Sequence, residues 1–156
     1  MGRTCPDVFG GSGVICENDE YFYTQVGEDP KHFDYRRELR DEARQWNYER
    51  FKQAVDTGRS PIVVDRGNGL SPEFQRYARY AVNHDYDVEL REPESEWWQE
   101  IRVLLKYKTY THPILDQWSG ELTRRSRETH CVPTDVIRCR IDKWKWDLTI
   151  DDILNF

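Results

Sequence analysis

Several hallmarks of membrane and nucleic-acid-coating proteins are missing from this 156-residue sequence. No apolar run approaches the roughly 20 residues that a helix needs to cross a bilayer. The opening Met1-Gly2-Arg3-Thr4-Cys5-Pro6 has no apolar stretch of the kind a secretory signal carries. Pro6 stands where an N-myristoylation signal needs Ser or Thr. The four cysteines, Cys5, Cys16, Cys131 and Cys139, form no Cys-x-x-Cys pair. Without secretion, free thiols are the default, and the spacing of His130, Cys131 and Cys139 does not make a structural zinc site. Positive charge is not in excess: the formal net charge is −6, against the broad basic face of a DNA-coating protein. These absences predict a cytoplasmic protein with no membrane partner.

What is present points to a folded core. Apolar residues make up 37% of the chain and aromatics 13%, including six Trp, which a disordered segment would lack. The length suits one domain.

Residues 1–12 are rich in small residues and read as irregular. Gly13-Val14-Ile15-Cys16 reads as a short buried strand, with Asn18-Asp19-Glu20-Tyr21-Phe22-Tyr23 at its C-terminal end. A polar loop follows to Phe33. Asp34 is placed to cap a helix that runs to Thr57, with Leu39, Ala43, Trp46, Phe51, Ala54 and Val55 on its inner face and Gly58 as its stop. Pro61-Ile62-Val63-Val64-Asp65 reads as a strand buried on both faces, as in a parallel sheet. Ser71-Pro72 opens the next helix, with Phe74, Tyr77, Ala78 and Ala81 inward. Tyr86–Arg91 alternates and reads as a third strand. From Glu92 onward the pattern is helical, over 97–107, 114–127 and 133–146, with Thr149 capping a last turn. The order of strands and helices predicts an α/β doubly wound parallel sheet.

Three clusters carry candidate chemistry. Asp19-Glu20 follows a strand, where open α/β sheets bind ligands, so a carboxylate there can orient a hydroxyl and take its proton; it can equally be a solvated acidic turn. Asp65 ends the second strand, where an Asp can hold Mg²⁺ through water with Asn68 in support, or can start a turn. Arg124, Arg125 and Arg127 can clamp phosphate charge, or line a solvated helical face. The pair Trp97-Trp98 can stack on bases or sit in the core.

Taken together, Gly13–Tyr23, Glu42–Phe51, Ser60–Asn68, Arg91–Trp98 and Thr129–Pro133 resemble the P-loop ATP-binding proteins similar to polynucleotide 5′-hydroxyl kinases. The resemblance implies ATP and Mg²⁺ as cofactors and a hydroxyl acceptor, with a nucleic-acid 5′ end as one candidate. It implies Asp19 as the base on the acceptor, Asp65 as the metal carboxylate, and Arg127, with Arg124 beside it, as the arginine of a lid against ATP phosphates. Arg44, Asn47 and Asn68 would line the acceptor. In this scheme 1–156 is one kinase-like domain, with 93–132 a lid-like helical insertion and 133–156 C-terminal helices.

The departures are informative. The family's Gly-x-x-x-x-Gly-Lys-Ser/Thr loop is not in the sequence, and Gly10-Gly11-Ser12-Gly13 leads into a strand with no following Lys. Arg44 stands where the family usually has His, Arg66-Gly67 replaces a commoner Asn-Thr, and Cys131 replaces a usual Gly. A sheet short of its P-loop strand predicts either that the full gene product starts upstream or that the sheet is repaired by rearrangement or pairing with a second copy. Two readings follow: the acceptor half of a kinase, inactive as this chain, or a non-catalytic nucleotide- or protein-binding remnant of one.

Overall fold

The structure is a computed structural model that describes residues 13–26, 32–66, 71–127 and 129–156. Strand β1 (Val14–Glu17) is followed by helix α1 (Asp19–Thr24), a 3₁₀ turn (Arg37–Leu39), α2 (Arg40–Asp56), β2 (Ile62–Asp65) and α3 (Pro72–Val82). Four more helices complete the chain: α4 (Glu96–Lys106), α5 (Lys108–Ser126), α6 (Thr134–Lys143) and α7 (Ile150–Leu154). The chain is thus mixed α/β and mostly helical. Its contacts divide it into two compact units, Met1–Arg66 with Arg76–Asp87, and Gly67–Gln75 with Val88–Phe156.

The first unit is built on a parallel strand pair. β1 and β2 align Val14 with Ile62, Ile15 with Val63, Cys16 with Val64, and Glu17 with Asp65. Parallel strands need a long crossover, and α2 supplies it. Ala43, Asn47, Phe51, Ala54 and Val55 are the buried residues of α2, recurring at helical spacing, and the helix packs on both strands. Gly58 ends it at φ +67°, its N–H donating to the Val55 carbonyl at 2.9 Å while Arg59 N–H donates to that of Ala54. Such a left-handed stop suits a residue without Cβ. Around α1, Tyr21 and Phe22 are buried with Ala43, and Val26, Phe33, Leu39 and Trp46 pack against them.

Three sequence expectations change here. Asp34 does not cap α2; it binds Arg36 at 2.7 Å, and the helical segment begins with the 3₁₀ turn at Arg37. β2 is not covered on both faces, since Val63 is 40% exposed. Tyr86–Arg91 is not a strand. Its first residue is tied back instead, Tyr86 N–H to the Ala81 carbonyl and its hydroxyl to that of Arg59 at 2.8 Å. The segment beyond leaves Leu90 42% exposed with no strand partner among the described residues. The described sheet therefore has two strands. The irregular reading of 1–12 and the Asn68 assignment lie outside the described residues.

The second unit is helical. Trp98, Ile101, Leu105, Leu115 and Ile141 form its core, with Trp97, Trp118, Trp144 and Trp146 packed against it. Trp98 meets Trp144 edge-on at 4.7 Å, so this Trp is core. α5 starts at Lys108, six residues before the expected start. Pro113 lies within its early turns, so the one hydrogen bond it cannot donate sits near the end of the helix. α6 stops at Lys143, and the Lys108 ammonium donates to the carbonyls of Asp142 and Trp144 at 2.8 and 2.6 Å, satisfying the end of the helix. Arg138 ties α6 to α5 through Asp116 at 2.6 Å. Thr149 caps α7 as its sequence predicts, and Asp152 returns the bond to complete a reciprocal capping box. No described helix is long and apolar enough to cross a membrane.

Replacing Phe51 or Leu115 with Ala removes a ring or branched chain from a closed core (3% and 0% exposed). Each substitution is expected to lower unfolding stability by about 3 kcal/mol, read as a reduced urea midpoint at unchanged slope. A loss under about 1 kcal/mol for either would contradict the packing described.

Candidate functional site at the rim of the parallel strands

The site is the C-terminal rim of β1 and β2. Because Glu17 and Asp65 are register partners, both strands end at the same level. Asp19, two residues past Glu17 and the first residue of α1, therefore belongs to the same rim as Asp65. Asp65 is exposed, and Asp19 and Glu20 are half-buried. The two carboxylates singled out from sequence are thus brought to one edge of the strand pair.

α2 supports this rim from below and supplies its positive charge. Arg50 binds Glu20 at 2.6 Å and lies over the Trp46 ring at 4.5 Å. Tyr21 donates to Glu42 at 2.5 Å, fixing α1 against the first turns of α2. Arg44, placed at the acceptor by resemblance, bonds Asp41 at 3.0 Å on its own helix, and its carbonyl accepts from Arg76 at 3.1 Å. Asn47, also placed at the acceptor, is fully buried, and its amide donates to the Tyr77 hydroxyl at 3.3 Å. Sequence reasoning missed Arg50 and Arg76, and it read Tyr77 only as an inward-facing residue of α3, which it is. Arg50 falls one turn after Trp46, a spacing that signals a stacked pair on a helix face.

Beneath the rim, Cys16 is fully buried in β1. Burial pushes its thiol up to about 11, with Arg50 pulling down and Glu20 adding to the rise.

The arginines expected at a lid lie in the second unit. Arg124 and Arg125 both grip Glu121 at 2.7 Å near the end of α5, and these guanidiniums pull its carboxyl down to about 2. Arg127 follows the helix, exposed, with its carbonyl accepting from the Cys131 thiol at 3.3 Å. Cys131 takes a positive φ of 49°, a conformation that glycine adopts without strain.

Mg²⁺ keeps several waters and needs only one or two carboxylates, so the exposed Asp65 beside Glu17 fits a hydrated ion. There it would neutralise phosphate charge. Among the described residues, no group of three His, Cys, Asp or Glu converges as a closed metal site. ATP does not fit the residues present. The Gly-x-x-x-x-Gly-Lys-Ser/Thr cradle is not in the sequence, and Arg124 and Arg125 are held by Glu121.

No family model matches the chain, and no solved structure matches it. Six curated proteins do. One is human NEDD4-binding protein 2, 37% identical over 90 residues, a stretch that covers 56% of this chain and 5% of that protein. The chain therefore spans about a twentieth of that relative's length.

A raised thiol stabilises the fold below the unfolded value near 9 and loses that contribution as pH climbs toward 11. Stability is expected to fall across pH 9–11, and less steeply in Cys16→Ala, measured by urea unfolding at each pH. At pH 8, native protein should leave Cys16 unalkylated while Cys131 and Cys139, both exposed, react. Rapid native labelling of Cys16 would show that this thiol is open.

Proposed function

We propose that the chain is the acceptor side of a P-loop kinase-like protein, acting in phosphoryl transfer from ATP to a hydroxyl. The observation that carries this reading is the register of β1 and β2, which brings Asp19 and Asp65 to one rim of a parallel strand pair. In this reading Asp19 orients the acceptor hydroxyl and takes its proton, and Asp65 is the metal carboxylate. Arg50, bound to Glu20, keeps the neighbouring carboxylate engaged, so one acidic group rather than two meets the acceptor. The exposed face of Val63 favours a larger, doubly wound sheet completed by a further segment or a second copy. A nucleic-acid 5′ end is the acceptor suggested by resemblance, and the phosphate-binding loop must come from outside these 156 residues.

A second reading, a non-catalytic nucleotide- or protein-binding remnant, draws on the lack of a P-loop lysine anywhere in the sequence. Thermal shift with Mg-ATP separates the two for the isolated chain, since a ligand that binds the native state raises its melting temperature by mass action. Strong Mg-dependent stabilisation would contradict the idea that nucleotide binding has been lost.

The direct test is transfer from radiolabelled ATP to a 5′-hydroxyl oligonucleotide. The chain alone is expected to give no turnover, and a polypeptide extended in frame through a Gly-x-x-x-x-Gly-Lys-Ser/Thr loop is expected to give it. In the extended form Asp19→Asn should lower kcat about a hundredfold or more. Transfer that is indifferent to Asp19→Asn would remove the assigned base, and an extended form with no transfer would remove the kinase reading.

A further inference from the structure

In the second unit, one helical face is left without a partner. α4 and α5 turn apolar residues to the same core, Trp98, Ile101 and Leu105 from the first and Leu115 from the second. Away from that core, Val103, Tyr107, Tyr110 and Ile114 are 58%, 52%, 86% and 46% exposed. They follow one another at four, three and four residues, one per turn. Tyr107 stands between the two helices, and its carbonyl accepts from the N–H groups of Tyr110 and Thr111 at 2.9 and 3.1 Å. The Thr111 hydroxyl donates to the Leu104 carbonyl at 2.8 Å. These bonds fasten the first turn of α5 to the last turn of α4, so the stripe continues across the break. Exposed apolar side chains are ordinary when scattered singly, whereas a contiguous patch marks an interaction surface.

The charge beside the stripe has one free sign. The same face of α4 continues toward the start of the helix as Glu100 and Glu96, one and two turns before Val103. Both are exposed, as is Glu94 just ahead of the helix, and none of the three forms an ion pair among the described residues. The neighbouring cations are engaged. Arg102 binds Glu92 and lies 4.5 Å over the Trp146 ring. Lys106 lies 5.7 Å over both Tyr107 and Trp146. Lys108 ends on the carbonyls of Asp142 and Trp144. What remains uncompensated is negative, so a basic partner gains there and an acidic one loses.

Apolar side chains repeating every three or four residues match the apolar face of an amphipathic helix laid alongside. Tyrosine suits such a surface, because its ring offers a wide contact at little cost in side-chain entropy. We propose that the α4–α5 stripe docks a basic amphipathic helix of another protein. Its apolar face would lie on Val103, Tyr107, Tyr110 and Ile114, and its lysines or arginines over Glu96 and Glu100. A second copy of this chain fits less well. Laid parallel, its Glu96 and Glu100 meet themselves; reversed, they meet Gln117 and Glu121, the next steps of the same spacing. The stripe offers itself no cation in either direction. This docking does not rest on the phosphoryl-transfer reading.

The test titrates the whole chain, by fluorescence anisotropy, into a dye-labelled helical peptide of about 18 residues. The peptide carries Leu on one face and Lys on the other, and its twin carries Glu in place of Lys. Saturable micromolar binding of the lysine peptide, and none of the glutamate twin, is expected. Tyr110→Ser with Ile114→Ser should weaken binding about tenfold or more, because it removes two central anchors. Glu96→Gln with Glu100→Gln should weaken it about fivefold and flatten its dependence on salt. All four side chains are exposed, so the far-UV circular dichroism and urea midpoint of both variants should match the parent. A lysine peptide that does not bind would overturn the surface. So would equal affinity for the parent and both variants, which would put the contact elsewhere on an acidic chain. Equal binding of the glutamate twin would overturn the basic partner. Sedimentation of the parent without peptide covers the other occupant: a dimer that Tyr110→Ser with Ile114→Ser dissolves would give the stripe to a second copy and end the proposal.

Discussion

Parallel strands cannot be joined by a tight turn, and this constraint organises the first unit. β1 and β2 lie side by side because α2 carries the chain back along their length before β2 begins. The register that results, Glu17 opposite Asp65, decides which side chains share the rim. A slip of one residue would turn Cys16 and Val64 away from the helix and move the acidic residues off a common level. The inner face of α2 resists such a slip, since Ala43, Phe51, Ala54 and Val55 are all buried where that helix packs on the strands.

Charge is arranged on the same frame. Glu20 is engaged by Arg50, and Arg50 is held by the Trp46 face, so the middle of α2 neutralises one of the two carboxylates that open α1. In the second unit arginines are likewise paired on their own helix. Arg124 and Arg125 form a tight three-residue set with Glu121, one and the same carboxylate, along a single helix face. A run of arginine near a helix end says nothing of what binds it, and here a local glutamate three and four residues back is the partner.

Much of this was legible in the sequence, because it depended on local chemistry. β1, α2, β2, α3 and the Thr149 cap of α7 follow from apolar spacing, a glycine stop and polar caps. The third strand did not follow. Alternation at Tyr86–Arg91 describes a chain that suits a sheet, but pairing depends on a neighbour far away in sequence, and the Tyr86 hydroxyl found the Arg59 carbonyl instead. Asn47 was legible only as a polar residue on a helix. Its burial depends on Tyr77, thirty residues away, reaching it from α3. Arg66 and Arg76 were likewise invisible as a pair, since only the packing of Tyr77 and Tyr48 draws them together.

The sign of the rim bears on what it can accept. Asp19 and Asp65 together repel an anionic molecule, and a hydroxyl compound bearing phosphate would approach them unfavourably on charge alone. Arg66 follows Asp65 directly and, with Arg76, sets positive charge against the Tyr77 ring.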